Sequence, residues 1–184
     1  MDMLNLNNIR ESFGRVVYSH KTHEKTAEIE NKKNKATKWI NVVLIALTSG
    51  MLTGTIVTSQ QVFLYISTIL STLTLAFIIF QLSFNCAEKV EKHRNIAKEL
   101  WYIRERYVNL ITDIMNEQLD NETIVLKRDQ LIKELKILYK FAPQTNSKAY
   151  RKAGKALKID EELTFSEQEI DNFLPGELKT GDKN

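Results

Sequence analysis

"TSGMLTGTIVTSQQVFLYI", residues 48–66, carries glycines four apart, then a run of Thr, Ser and Gln, then an aromatic restart. It is either the turn of a soluble helical hairpin or the far-side bend of a chain that crosses a membrane twice. The flanking charges decide. The 184 residues include 26 Lys and Arg and 23 Asp and Glu, yet none lies between Lys38 and Glu88. Residues 39–87 are therefore uncharged in a chain that is 27% charged overall. A soluble core helix shows a polar face at every turn, so an uncharged run of this length is a bilayer signal.

Working outward, "WINVVLIALTSGMLTGTIV" (39–57) and "VFLYISTILSTLTLAFIIFQLSF" (62–84) are two apolar segments around the bend "TSQQ" (58–61). Each has about 20 residues, which at ~1.5 Å per residue matches a hydrocarbon core of ~30 Å. Trp39 stands where an aromatic belt residue belongs. Lys32, Lys33, Lys35 and Lys38 precede the first segment, and Lys89, Lys92 and Arg94 follow the second. Basic flanks at both ends of the hairpin and an uncharged bend predict an inner-membrane protein with both termini in the cytoplasm. A soluble bundle would have to cover both helices completely, and the remaining chain is too hydrophilic and too short to do so. The N-terminal residues 1–10 lack an apolar stretch, so no cleavable signal peptide is expected. The single Cys86 forms no internal disulfide, in keeping with a reducing compartment.

Proline is absent before Pro143, and only Gly14, Gly50 and Gly54 precede it. With no alternating apolar pattern and no Asn-Gly or Asp-Gly turn, the fold class is all-α: a two-span hairpin continuing into long cytoplasmic helices. The expected divisions are a cytoplasmic helix in 1–38, the hairpin in 39–84, a cytoplasmic helical region in 85–160 and a short helix with a frayed tail in 161–184. The first helix, about 7–38, has Ile9, Phe13, Val16, Val17 and His20 on one face. Its nearly all-polar second half, "KTHEKTAEIENKKNKATK", reads as a solvated helix held by pairs such as Glu28 with Lys32 and Glu30 with Lys33. The second span is expected to run on unbroken into a helix with a seam of Ile96, Leu100, Ile103, Tyr107, Leu110 and Ile114. Asp120 or Asn121 caps the next helix, about 122–141, whose apolar face is Ile124, Leu131, Leu135 and Leu138, and Pro143 ends it. These two helices are expected to pack antiparallel. "NSKAYRKAGKALK" follows as a basic helix, and Ser166 with Glu169 forms a capping box.

Motifs for catalysis are absent: no phosphate loop, no Cys-x-x-Cys, no His-Glu-x-x-His and no nucleophile elbow. No enzyme activity, cofactor, metal or nucleic-acid partner is expected. His20 and His23 lack a third ligand nearby and read as a helix surface. Cys86 reads as a small apolar residue, with lipidation at the membrane exit as the alternative.

The spans carry the informative chemistry. Ala46, Gly50 and Gly54 form a small-residue ridge that admits another helix at close range. Asn41, Thr48 and Thr55 recur every seven residues on a different face. In the second span Ser67, Ser71, Thr74, Gln81 and Asn85 form one polar stripe. Hydrocarbon penalises such groups unless they meet a partner helix or water. The stripe is thus either glue between helices or one wall of a pore built by several copies, with "TSQQ" at one mouth and Gln81 and Asn85 at the other. Lys148, Arg151, Lys152 and Lys155, followed by Lys158, read as a contact for anionic lipid headgroups or a phosphate ligand, or else as a solvated face.

The block "IRESFGRVVYSHKTHEKTA" (9–27), the basic helix ending at "KATKW" (35–39), the hairpin and the long helices after it resemble the SLATT family over roughly residues 8–160. These two-transmembrane proteins are named for association with SMODS nucleotidyltransferases and SLOG sensors. The resemblance implies a membrane effector of a bacterial conflict or anti-phage system, thought to form pores once a nucleotide-linked sensor fires. It brings no active-site residues. It implies a homo-oligomer in membrane lipid, triggered by a sensor protein encoded nearby. A non-conducting anchor that recruits a partner through its cytoplasmic helices is the competing reading.

Overall fold

A computed structural model describes residues 3–179. The described residues are almost all helical, and no strand occurs among them. The helices are α1 (Met3–Thr58), α2 (Gln61–Ser83), α3 (Cys86–Met115), α4 (Asn121–Phe141), α5 (Ser147–Lys158) and α6 (Glu167–Phe173). A 3₁₀ turn at Gly176–Leu178 follows. The tail expected to fray lies partly outside the described residues.

The first helix and the first span are one element. At 56 residues, α1 is about 84 Å long. Alternating steps of three and four from Leu6 pass through Ile9, Val16, His23, Glu30, Thr37, Leu44 and Met51 to Thr55, and every position on this path is buried or partly buried. This is a heptad seam over the whole helix. Its upper part faces α2, where Ser67, Leu70, Thr74, Phe77 and Gln81 keep the same spacing and are likewise buried or partly buried. Its lower part faces α3 through Val90, His93, Ala97, Leu100, Ile103 and Tyr107. The pairs Gly54–Phe63, Asn41–Gln81 and His23–His93 run in opposite directions along the two chains, so α2 and α3 together form one antiparallel partner for α1.

The bend is tighter than "TSQQ": only Ser59 and Gln60 separate the helices. Ser59 is left-handed (φ 57°) and its amide donates to Thr55 O at 3.0 Å, the geometry usually given to glycine just past a helix end. Residues on the outer faces, such as Val42, Ile56, Ile69 and Leu82, are largely exposed. Both spanning helices are long and apolar enough to cross a bilayer.

The second span does not run on. The helix breaks at Phe84 and Asn85, and the Asn85 side chain caps α3 by accepting from the Glu88 amide at 3.2 Å. Asn85 is thus a helix cap and not a continuation of the α2 stripe. The break opens a crevice of about 230 Å³ beside Asn34 and Thr37, lined also by Cys86.

Beyond the apolar hairpin, Ile9, Val16, Leu100 and Tyr107 are fully buried at the centre of the core. Asp120 caps α4 on the Thr123 amide at 2.7 Å. Ion pairs Asp113–Lys127 and Arg106–Glu134 hold α4 antiparallel to α3, with Ile124 and Leu131 buried and Leu135 and Leu138 packed against the core. Ala149, Ala153 and Ala156 give α5 a small-residue face, buried where it crosses α1. Gly154 lies there with Tyr18 Oη 3.2 Å from where a Cβ would sit. Ser166 and Glu169 form the capping box of α6.

Candidate functional site

The polar half of α1 is not a solvated helix. His20, Lys21, Thr22, His23, Thr26 and Glu30 are each at most 8% exposed, because α3 covers the seam and α5 crosses beside it. The heptad register runs through this half unchanged. Only the residue types change, from aliphatic side chains to histidine, threonine and glutamate. Glu30 pairs with Lys33 at 2.6 Å as the spacing predicted, whereas Glu28 goes to Lys25 and not to Lys32.

The third histidine comes from α3. His23 Nδ1 and His93 Nδ1 are 2.9 Å apart, so one ring nitrogen donates and the other accepts. His20 Nδ1 lies 2.9 Å from Ala97 O and donates to it, while its Nε2 is 3.6 Å from Glu24. Burial, then the nearby His93 and His20, push the His23 pKa down to about 4. Burial also lowers His93, with Glu30 opposing it. Among the described residues no group of three or more His, Cys, Asp or Glu is arranged to hold a metal ion.

Next to the histidines lies an ion cluster whose key residue no sequence pattern marked. Glu162 meets Lys21 at 2.5 Å and Lys25 at 3.1 Å, and Lys21 also meets Glu24 at 2.7 Å. Burial opposes the Lys21 charge, but the bonds to Glu162 and Glu24 outweigh it and hold the pKa above its ordinary value. The same bonds from Lys21 and Lys25 lower Glu162. Glu162 is flanked by Glu161 (φ 49°) and Leu163 (φ 78°), both left-handed. Such conformations cost about 1–2 kcal/mol each for non-glycine residues. The loop after α5 is held in this shape where Glu162 reaches the buried Lys21 and the partly buried Lys25.

In the spans, one side-chain bond joins the helices: Asn41 Nδ2 donates to Gln81 Oε1 at 2.8 Å. The other two amide atoms, Asn41 Oδ1 and Gln81 Nε2, are buried without a partner. Ser67 and Thr74 are buried against α1, and their hydroxyls donate back to Leu64 O and Leu70 O. Ser71 is exposed, as are Thr68 and Thr72. The predicted stripe is therefore divided. Ser67, Thr74 and Gln81 lie in the seam, Ser71 faces outward and Asn85 caps α3. Of the small-residue ridge, a Cβ added at Gly54 would sit 3.4 Å from the Phe63 ring, while Ala46 and Gly50 are exposed and a Cβ added at Gly50 would meet nothing within 4 Å. Lys148, Arg151, Lys152 and Lys155 are all exposed on α5, with Lys155 3.8 Å from Asp160.

Compared with known proteins, residues 6–169 match a family model described as SMODS and SLOG-associating 2TM effector domain family 4. No curated protein and no solved structure matches the chain.

Proposed function

The chain belongs to this family of two-transmembrane effectors, and from that premise we propose that it disables the inner membrane in a prokaryotic conflict or anti-phage system. Several copies assemble their hairpins around a conducting path. The observation that carries this reading is the surface the hairpin leaves free. Ala46, Ser49, Gly50 and Thr53 lie on one exposed face of α1, and Thr68, Ser71 and Thr72 on an exposed face of α2. Small residues let a second hairpin approach to backbone contact. The Thr53, Thr68 and Thr72 hydroxyls donate to their own helix at Ser49 O, Leu64 O and Thr68 O. They are thus stable against lipid before assembly and can face water after it. With no charge in either span, the path would select weakly among ions. The seam residues Ser67 and Thr74 reach water only if α1 and α2 part. In this reading the trigger comes from a SMODS- or SLOG-type partner, and both termini lie in the cytoplasm.

The competing reading, a non-conducting anchor that recruits a partner, draws on the exposed Leu126, Ile137 and Phe141 of α4. Ion flux from liposomes holding the purified protein separates the two. Flux that is lost on replacing Ser71 and Thr72 together by leucine, with insertion intact, supports the pore. Absence of flux from the assembled oligomer under every trigger tried leaves the anchor.

A further inference from the structure

Residues 161–178 hold six acids and no lysine, arginine or histidine. They also carry large apolar side chains that the fold leaves uncovered. Phe165, Ile170, Phe173 and Leu178 are 46–80% exposed, and no residue of α6 is buried. Ile170, Phe173 and Leu174 are spaced i, i+3, i+4 and so share one face of α6, with Glu167 and Asp171 on one flank and Glu169 on the other. This is the pattern of an amphipathic segment that lies on a partner.

A complementary face stands on the second half of α4. Ile137 and Phe141 are 62% and 73% exposed, and Lys133, Lys136 and Lys140 are exposed around them. The ion pairs of α4 use Lys127, Arg128, Asp129 and Glu134, so these three lysines have no acid among the described residues. One face is apolar with a basic rim and the other apolar with an acidic rim, and the two match in both respects.

Their placement decides the occupant. Tyr139 Oη donates to Ser19 Oγ, which sets the second half of α4 at the level of residue 19 on α1. Glu162 bonds to Lys21 and Lys25, which roots the acidic segment at the level of residues 21–25. The two attachments are thus about 3–9 Å apart along α1, at ~1.5 Å per residue. Around α1, Ser19 and Lys21 differ by about 200°, so the two elements attach on opposite sides of it. Opposed within one copy, the faces meet between copies that stand side by side in one membrane at the same height. Such a head-to-tail contact repeats and closes into a ring. A lipid surface is the wrong partner for the acidic segment, because charged leaflets carry negative charge.

We propose that residues 164–178 of one copy dock on the Ile137–Phe141 face of α4 in the next copy. The contact rests on the side-by-side assembly proposed above and names what holds that assembly together outside the spans.

The full chain is tested in membrane vesicles, in a Cys86→Ser background, as two differently tagged copies. One carries Phe173→Cys and the other Ile137→Cys, and a short bismaleimide joins cysteines that meet. The mixed dimer should form, and should be several times weaker when Met115→Cys, an exposed position at the far end of α3, replaces Ile137→Cys. Lys136→Glu with Lys140→Glu in the second copy should lower its yield by about tenfold. Glu167→Lys with Glu177→Lys in the first copy should then restore it. Absence of the mixed dimer overturns the proposal, as do equal yield at Met115 and indifference to the charge reversals. Joining only within a chain that holds both cysteines overturns it too, as does joining of the Ile137 position only to another protein. Copies that join through the spans but not here refute this contact alone, whereas chains that stay monomeric refute the assembly and this contact with it. A mixed dimer that passes no ions refutes only the pore.

Discussion

Acid should loosen the bundle of α1, α3 and α5 outside the spans before it titrates the carboxylates. His23 is 5% exposed, and its pKa falls from 6.5 to about 4, first through burial and then through His93 and His20. Between these values the unfolded chain binds the proton and the folded chain does not, so stability is complete above about pH 6.5 and declines as pH falls towards 4. At pH 5 the loss from His23 is about 2 kcal/mol, at ~1.4 kcal/mol per pKa unit. For a chain of this size that lowers Tm by about 4–8 °C. His93, also lowered, adds in the same direction, with Glu30 opposing it. Glu24 and Lys21 are the other charged groups beside the histidines. Glu134 and Glu162 titrate below their ordinary 4.5, so their contributions are lost only at lower pH and the window from pH 7 to 5 isolates the histidines. Thermal melts by circular dichroism, with Trp101 fluorescence reporting beside His20, measure the slope. His23→Gln should remove at least half of it. An equal slope in the variant, or a flat profile in the parent, refutes the buried pair.

Replacing Glu162 by Gln leaves Lys21 with Glu24 alone and should cost about 1–2 kcal/mol, allowing for solvent at the part-exposed Glu162. Limited proteolysis should then cut the loop after α5 faster than in the parent. Gly54→Leu meets Phe63 and should destabilise the hairpin itself, whereas Gly50→Leu should leave it folded and reduce crosslinking between copies. Equal crosslinking in Gly50→Leu turns that face towards lipid. Asn41→Leu and Gln81→Leu each strand a buried amide and should cost about 1–2 kcal/mol in detergent unfolding. The double variant should cost less than their sum, and strict additivity would mean that the bond contributes nothing.

The hairpin was legible because charge exclusion is a property of composition, and Trp39, Lys38 and Glu88 bound it without reference to any partner. Local helix boundaries were equally plain: Asp120, Ser166 and Pro143 act through their own backbone neighbourhood. The break after α2 was also written locally, since Asn85 precedes Glu88 by three, a helix-start spacing. It was obscured by treating Asn85 as the next member of a stripe. The polar half of α1 was misread for a different reason. Histidine, threonine and glutamate at seam positions look solvated, and the partner that buries them, His93, lies 70 residues away. Continuing the step of three and four from Ile9 through Glu30 was the available signal. Glu162 had none, because its role depends on a loop conformation that only the packed fold defines.

Every functional statement above depends on residues 39–83 crossing the membrane twice with the histidine seam inside. In a Cys86→Ser background, a cysteine at Ser59 should react with a membrane-impermeant thiol reagent added to cells whose inner membrane is intact but exposed. Cysteines at Lys35 and Lys148 should react only after that membrane is opened. Labelling of the Lys35 position from outside, or of Ser59 only from inside, would contradict the account.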